Sequence, residues 1–192
     1  MNIISDILIF KPDDVDLQKS PLRKGIQEKT FVLGSFNPGL CRLPNGNLLL
    51  MVRIAEALLE PIKGNFVQCI RWDESKGFVV DAWPKADVDM SDPRKFQIRQ
   101  YQFPVFALTS LSWLLPVELT ADGSQVLKIH YDCAIIPERS NQEYGIEDAR
   151  ITMLDGQYFM TTCCVSSERH STILYQSDDG LNYNYSGLIL DH

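Results

Sequence analysis

The sequence predicts an all-β protein of the β-propeller type, built from antiparallel strands in repeated four-stranded units. Short apolar runs closed by Asn-Gly or Asp-Gly turns recur along the chain, and such turns suit tight hairpins that need a positive φ. Helical periodicity is almost absent, because residues 86–100 are polar and charged without an apolar stripe of 3.6-residue period. The turns divide the chain into units of about 45–60 residues, the size of a propeller blade.

The predicted elements follow in chain order as strand pairs around turns that contain glycine. The paired strands are 40–43 with 47–54, 66–72 with 78–80, 105–119 with 126–131, 151–154 with 158–165, and 171–176 with a strand passing through residue 183. Residues 83–104 are rich in Asp, Pro, Arg and Gln and are predicted to form a long loop. Loops carried by a rigid sheet often hold binding residues.

The strand count provides material for about three blades, whereas a closed propeller needs at least about four. The sequence therefore predicts one propeller-like domain over residues 1–192 that is an incomplete ring, truncated at the C-terminus. A complete β-sandwich is the alternative if the blade count is wrong.

Composition limits the partners that the chain is expected to have. A net charge of −7 disfavours nucleic acid, which needs a basic face. No apolar stretch approaches the roughly 20 residues of a membrane span, and the N-terminus lacks the basic region of a signal peptide. The 5 scattered cysteines indicate free thiols in a reducing, cytoplasmic compartment. No metal site is expected, because no Cys-x-x-Cys occurs and the histidines are far apart in sequence.

The segment 144–150, Tyr-Gly-Ile-Glu-Asp-Ala-Arg, is the most informative stretch of the chain. It places two carboxylates and a guanidinium at the start of the apolar strand 151–154. Since successive side chains of a strand point to opposite faces, Glu147 and Asp148 are predicted to face opposite ways. A carboxyl group beside a cation is a candidate acid or base, and a structural ion pair at the strand end is the alternative.

Three segments, taken in order, resemble glycoside hydrolase family 130, the β-mannoside phosphorylases and β-mannosidases built on a five-bladed propeller. They are residues 35–39 followed by 52–54, then 108–112, and finally 144–152. The similarity covers roughly residues 30–190 and corresponds to the N-terminal half of a family member. It implies a single catalytic domain of the five-bladed type, present here as about three blades.

The resemblance also assigns roles to residues. It implies that Asp148 is the general acid, with the proton passing to the glycosidic oxygen through a sugar hydroxyl. It implies that Asn37 and Arg53 bind the sugar next to the cleaved bond. Ser110 and Glu147 are further expected substrate-binding residues.

Three further basic residues, Arg150, Arg169 and His170, are expected to interact with negatively charged groups. Arg150 is expected to orient or balance the acidic pair. The family usually has proline where this chain has Ala149, which loosens the backbone but leaves the carboxylate. The strand 171–175 lacks the arginine expected to contact phosphate, and Arg169 and His170 are candidates to replace it.

The resemblance therefore implies an inverting enzyme that cleaves β-mannosidic linkages by phosphorolysis or hydrolysis. Direct attack by phosphate or water on the face opposite the leaving group inverts the configuration. The expected partner is an oligosaccharide or disaccharide, with inorganic phosphate as co-substrate of a phosphorylase and no other cofactor. The sequence also leaves open whether the chain forms a homo-oligomer. The alternative function is a non-catalytic, propeller-like carbohydrate-binding or scaffold module.

Overall fold

The computed structural model describes residues 6–101 and 105–191. Their regular structure consists of fourteen strands and six short 3-10 helices, which confirms the all-β prediction. The strands are β1 (Thr30–Arg42), β2 (Leu48–Leu58), β3 (Ile62–Lys63), β4 (Phe66–Asp73), β5 (Gly77–Pro84), β6 (Val88–Asp89), β7 (Lys95–Ile98), β8 (Val105–Leu108), β9 (Leu111–Leu119), β10 (Val126–Ile129), β11 (Gly145–Leu154), β12 (Gln157–Val165), β13 (His170–Ser177) and β14 (Asn184–Asp191). The 3-10 helices are Pro12–Asp14, Leu17–Lys19, Pro21–Lys24, Lys85–Asp87, Tyr131–Cys133 and Ser140–Gln142. Within these residues, no helix has the length and apolar character needed to cross a membrane.

The main sheet contains two antiparallel four-stranded units. The first unit consists of β1, β2, β9 and β10, and the second unit is the meander β11 to β14. The remaining strands form two three-stranded sheets, β3-β4-β5 and β6-β7-β8, which are inserted in the chain between β2 and β9. The described strands do not close into a propeller, so the number of blades stays a prediction.

The two units are joined by a single parallel bridge between Gly145 of β11 and Ser112 of β9. Gly145 has a φ of 120°, and a Cβ atom at this position would lie 2.2 Å from the carbonyl oxygen of Ser112. Only glycine combines this backbone conformation with so close an approach. The glycine of the 144–150 motif therefore lets β11 start directly beside β9.

Side-chain alternation along β2 divides the core between two layers. Val52 and Ile54 pack with β9 and with the N-terminal segment that contains Leu22. Leu49 and Met51 point the other way and pack against apolar side chains of the second unit. Residues of β2 at odd-numbered positions thus face the second unit, which is also the direction of Arg53.

A buried carboxylate ties the N-terminal segment to the first unit. Glu56 is fully buried and accepts hydrogen bonds from Ser20 Oγ at 2.6 Å, Thr30 Oγ1 at 2.5 Å and Trp113 Nε1 at 3.2 Å. Arg23 Nη2 lies 3.8 Å from the same carboxylate. Because both carboxylate oxygens of Glu56 accept hydrogen bonds, the charge is tolerated inside the core.

Several predicted boundaries are wrong. β1 begins at Thr30 rather than at residue 40, and β10 ends at Ile129 because a 3-10 helix follows. Residues 83–104 are not one long loop, since they contain the end of β5, a 3-10 helix, β6 and β7; residues 102–104 lie outside the described part. In β7 the buried Phe96 and Ile98 alternate with polar neighbours, a pattern too short to stand out among charged residues.

Candidate active site

Two β-bulges face each other at the candidate site. The pairing of β1 with β2 shifts between Phe36 and Gly39, and the pairing of β11 with β12 shifts between Glu147 and Arg150. A bulge inserts an extra residue, so that consecutive side chains no longer alternate. The prediction that Glu147 and Asp148 face opposite ways is therefore wrong, because both carboxylates turn toward one arginine.

Backbone strain marks the same two bulges. Among the described residues, three non-glycine residues have positive φ: Asn37 (47°), Asp148 (52°) and Asp155 (50°). Asp155 precedes Gly156 in a hairpin turn, where this conformation is required. The other two lie in bulged strands and touch, with Asn37 Nδ2 donating to Asp148 Oδ1 at 3.0 Å. Strained residues of this kind cluster at functional sites.

Arg53 is the centre of the cluster. Its Nη2 pairs with Glu147 Oε1 at 2.5 Å, and its Nη1 donates to Asp148 Oδ1 at 3.1 Å. Its Nε donates to Ser112 Oγ at 3.1 Å, and the Ser112 hydroxyl donates in turn to Glu147 Oε1 at 3.2 Å. The guanidinium also lies over the Phe36 ring, 4.8 Å from its centre. The planar fork of arginine thus holds both carboxylates in one geometry.

The two carboxylates differ in environment. The side chain of Glu147 is 15% exposed and that of Asp148 is 39% exposed. Burial raises the pKa of Glu147, and the charge of Arg53 and the Ser112 hydroxyl only partly offset this rise. Asp148 uses Oδ1 for both Arg53 and Asn37, while its Oδ2 has no hydrogen-bond partner in the described part of the chain. Burial thus favours the protonated form of Glu147, whereas Asp148 presents an oxygen atom without a protein partner among the described residues toward solvent.

A cleft of about 580 Å³ lies beside this cluster. Five of the residues predicted from the sequence line it: Arg53, Ser110, Glu147, Arg169 and His170. The structure thus gathers residues from β2, the β8–β9 connection, β11 and β13 around one opening.

The other predicted residues lie at different distances from the cleft. Asn37 and Asp148 do not line the cleft themselves: Asp148 contacts the lining residue Arg53, and Asn37 contacts Asp148. Arg150 is exposed, and its Nη1 donates to the carbonyl oxygen of Ala149 at 2.8 Å. Arg53, rather than Arg150, therefore pairs with the two carboxylates.

The cations at the far side of the cleft differ in how strongly they are neutralised. Arg169 pairs with Asp191 and lies 3.4 Å from Glu168, and the contact with Asp191 raises its pKa. Arg94, which sequence reasoning missed, pairs with Asp92 at 2.9 Å. Lys95 was also missed; its Nζ lies 4.5 Å from the centre of the Phe106 ring and has no carboxylate partner among the described residues.

Ser112 is the buried residue of the cluster that sequence reasoning missed. It belongs to the segment 108–112 quoted from the family pattern, but Ser110 was selected in its place. Ser112 lies inside β9 opposite Ala55 and is 1% exposed, while Ser110 precedes the strand. The apolar run that follows Ser112 could have shown that it, rather than Ser110, belongs to the buried strand.

Comparison with known proteins identifies a relative of the chain by sequence and by structure. No model of a protein family matches it. It is 27% identical over 168 residues to the β-1,2-mannobiose phosphorylase of Listeria innocua, covering 86% of this chain and 46% of that protein. A solved structure of that Listeria innocua enzyme in complex with β-1,2-mannobiose matches with a TM-score of 0.74 and 26% identity, covering 94% of this chain and 48% of the other.

The chain thus spans about half the length of the curated relative that it matches. The match extends over nearly all of the fold described above, including both four-stranded units. The chain is therefore homologous to a β-1,2-mannobiose phosphorylase of glycoside hydrolase family 130, which confirms the resemblance drawn from the sequence.

Proposed function

We propose that this chain forms the sugar-binding and proton-donating part of a mannoside phosphorylase. The observation that carries the proposal is the cluster of Asn37, Arg53, Glu147 and Asp148 beside a cleft, in a chain homologous to a mannobiose phosphorylase. That relative was solved with β-1,2-mannobiose bound, which supports a β-mannoside as the substrate class.

In the proposed reaction, phosphate attacks the anomeric carbon of a β-mannoside directly. The bond to the glycosidic oxygen breaks as the new bond to a phosphate oxygen forms, and inversion gives α-mannose 1-phosphate. Asp148 supplies the proton that the leaving oxygen needs, through a sugar hydroxyl, and its free Oδ2 is the atom we assign to that role. Arg53 and Asn37 offer charged and amide donors to sugar hydroxyls.

Glu147 is the competing candidate for proton donor. It lines the cleft, and burial raises its pKa, a combination typical of a catalytic acid. Asp148 is preferred because it is more exposed, carries the strained backbone and matches the family's acid. Parallel substitution of each carboxylate by its amide separates the two assignments.

The choice between phosphorolysis and hydrolysis depends on the anion site. Lys95, whose charge has no carboxylate partner among the described residues, supports an anion in the cleft, whereas Arg169 is already paired with Asp191. Because the pairing of Arg169 with Asp191 leaves less positive charge for phosphate, hydrolysis is the second candidate reaction. Activity on β-1,2-mannobiose that requires phosphate and releases mannose 1-phosphate supports a phosphorylase, and release of mannose alone supports a hydrolase.

The central test is the Asp148→Asn variant. We expect it to fold normally, to bind β-1,2-mannobiose and to lose at least about 100-fold in turnover, the usual range for removal of a general acid. Asp155→Asn is the matched control, because Asp155 directly follows strand β11 and also has positive φ, but sits in the hairpin turn. Turnover of Asp148→Asn within a few-fold of wild type would remove Asp148 from the mechanism.

A non-catalytic module is the alternative function, because Arg53 pairs with both carboxylates as it would in a structural ion pair. Calorimetric titration with β-1,2-mannobiose distinguishes it from an enzyme. Binding that depends on Arg53, without turnover in either the presence or absence of phosphate, would support the module.

A further inference from the structure

A second cluster of reactive side chains lies away from the cleft, in the 3-10 helix Tyr131–Cys133 and the residue before it. His130, Asp132 and Cys133 each offer one ligand atom, and these three atoms all lie within 4.8 Å of one another. His130 caps the start of the helix, so it and Cys133 are three residues apart. In a 3-10 helix, side chains three residues apart lie on the same side, which explains why the imidazole and the thiol converge.

The imidazole of His130 is held in place before any ligand arrives. The side chain is 5% exposed, and its Nε2 lies 3.0 Å from Glu118 Oε2. The other oxygen of Glu118 accepts hydrogen bonds from Asn45 at 3.1 Å and from Asn47 at 2.7 Å. Because Nε2 faces this anchored carboxylate, Nδ1 is left for a cation. A carboxylate behind a ligating histidine is the usual outer-shell arrangement of a metal site.

We propose that His130, Asp132 and Cys133 bind a zinc ion. Imidazole, carboxylate and thiolate are the three ligand types that zinc takes in proteins, and the sulfur ligand disfavours magnesium and calcium. Three protein ligands leave one position of a tetrahedral site. Asn182, whose Oδ1 lies 3.4 Å from Cys133 Sγ, or a water molecule completes the set.

The location gives the site a structural role. Cys133 belongs to the segment that follows the first unit, whereas Asn182 belongs to the hairpin between β13 and β14 of the second unit. Asp132 and Cys133 line a pocket of about 340 Å³ that shares no residue with the cleft beside Arg53. A metal ion here would link the two units without touching the candidate active site.

The expectation that no metal binds rested on the absence of Cys-x-x-Cys pairs and of histidines close together in sequence. The three donors lie within four consecutive residues, His130 to Cys133, and each comes from a different residue type. The fixing carboxylate, Glu118, lies on β9 and is brought to the histidine only by the fold.

The proposal is tested with the chelator-treated chain titrated first with Co²⁺ and then with Zn²⁺. We expect one Co²⁺ per chain with a thiolate-to-metal charge-transfer band, and displacement of Co²⁺ by Zn²⁺. Cys133→Ser abolishes that band, while Cys163→Ser, which removes a half-buried thiol elsewhere, retains it. Glu118→Gln keeps the three ligands and lowers the affinity for zinc about 10–100-fold, as expected for an outer-shell partner.

Thermal unfolding provides a readout that needs no catalysis. Zinc raises the Tm of the wild type and of Cys163→Ser in proportion to the logarithm of its free concentration, and does not raise the Tm of Cys133→Ser. Absence of saturable binding at one ion per chain would overturn the proposal. Binding that is the same in Cys133→Ser as in wild type would overturn it as well.

Discussion

Arg53 reaches four other side chains from one position, and lysine could not replace it there. Its three nitrogen atoms donate separate hydrogen bonds to Glu147, Asp148 and Ser112, whereas the ammonium group of lysine is a single point charge. The geometry of the acidic pair therefore depends on the shape of this side chain as well as on its charge.

For this reason we expect Arg53→Lys to weaken binding of β-1,2-mannobiose by about tenfold or more while the chain remains folded. Arg42→Lys is the control, because Arg42 lies on the neighbouring strand and its side chain donates, among the described residues, to the carbonyl oxygens of Gly46 and Ala121. Calorimetric titration measures the affinities. Equal affinities of the two variants would show that the fork of Arg53 is not used.

Glu147 predicts a pH dependence of stability with a definite sign. Its folded-state pKa is raised, chiefly by burial, so the protonated form is favoured by folding. That stabilising contribution is complete below the unfolded-state pKa and is lost as the pH rises through the higher folded-state pKa. The free energy of unfolding of wild type, minus that of Glu147→Gln, should therefore fall across the weakly acidic range.

Chemical denaturation at a series of pH values measures this difference. A difference that stays constant with pH, or rises, would contradict the assignment. Glu138→Gln serves as a control, because Glu138 is exposed and lies outside the cleft.

At the scale of single residues, the sequence indicated which motifs meet but not how their side chains point. Asn37 and Arg53 were selected from the first of the three segments and Glu147 from the third, and they do lie together. The alternation rule failed at Asp148 because a bulge depends on the pairing of β11 with β12, and no local pattern specifies it.

At the scale of elements, β11 depends on Gly145 for its position beside β9. We expect Gly145→Ala to lower the free energy of unfolding by about 2–4 kcal/mol, from the clash with the Ser112 backbone together with positive-φ strain. Gly156→Ala is the matched control: its φ is also positive, but a Cβ atom there meets nothing within 4 Å. It should cost about 1 kcal/mol.

Urea unfolding of both variants tests this expectation. The difference between them isolates the close approach of the two strands, since backbone strain is common to both. Equal losses of stability would mean that β11 can shift away from β9 without cost.

The hairpins were the predictable elements, because their Gly-containing turns are local. The pairing of β2 with β9 was not, since it joins strands separated in the chain by both three-stranded sheets. Contacts between segments so distant leave no periodic trace in either one, and the same holds for the parallel bridge at Gly145.

At the scale of the whole molecule, β14 is an edge strand with an apolar surface. It ends the strand order of the main sheet, and Leu188, Ile189 and Leu190 are 47%, 48% and 52% exposed. Unpaired edges that carry apolar side chains favour association with another chain. We expect the homo-oligomer left open by the sequence to use this edge.

We therefore expect the chain to self-associate as its concentration rises, and Ile189→Lys to shift this association to higher concentration. Leu127→Lys is the control, because Leu127 is 52% exposed, close to the 48% of Ile189, but lies on β10. Sedimentation velocity measures the distribution of species. A wild-type chain that stays monomeric at high concentration would exclude β14 as an interface.

The division of the candidate site between the two units has a consequence for folding. The guanidinium of Arg53 comes from one unit and both carboxylates come from the other, so under the proposed function neither unit alone carries the complete sugar-binding site. Retention on a mannoside-bearing resin would then report that the halves have docked, and a molecule with only one half ordered would wash through.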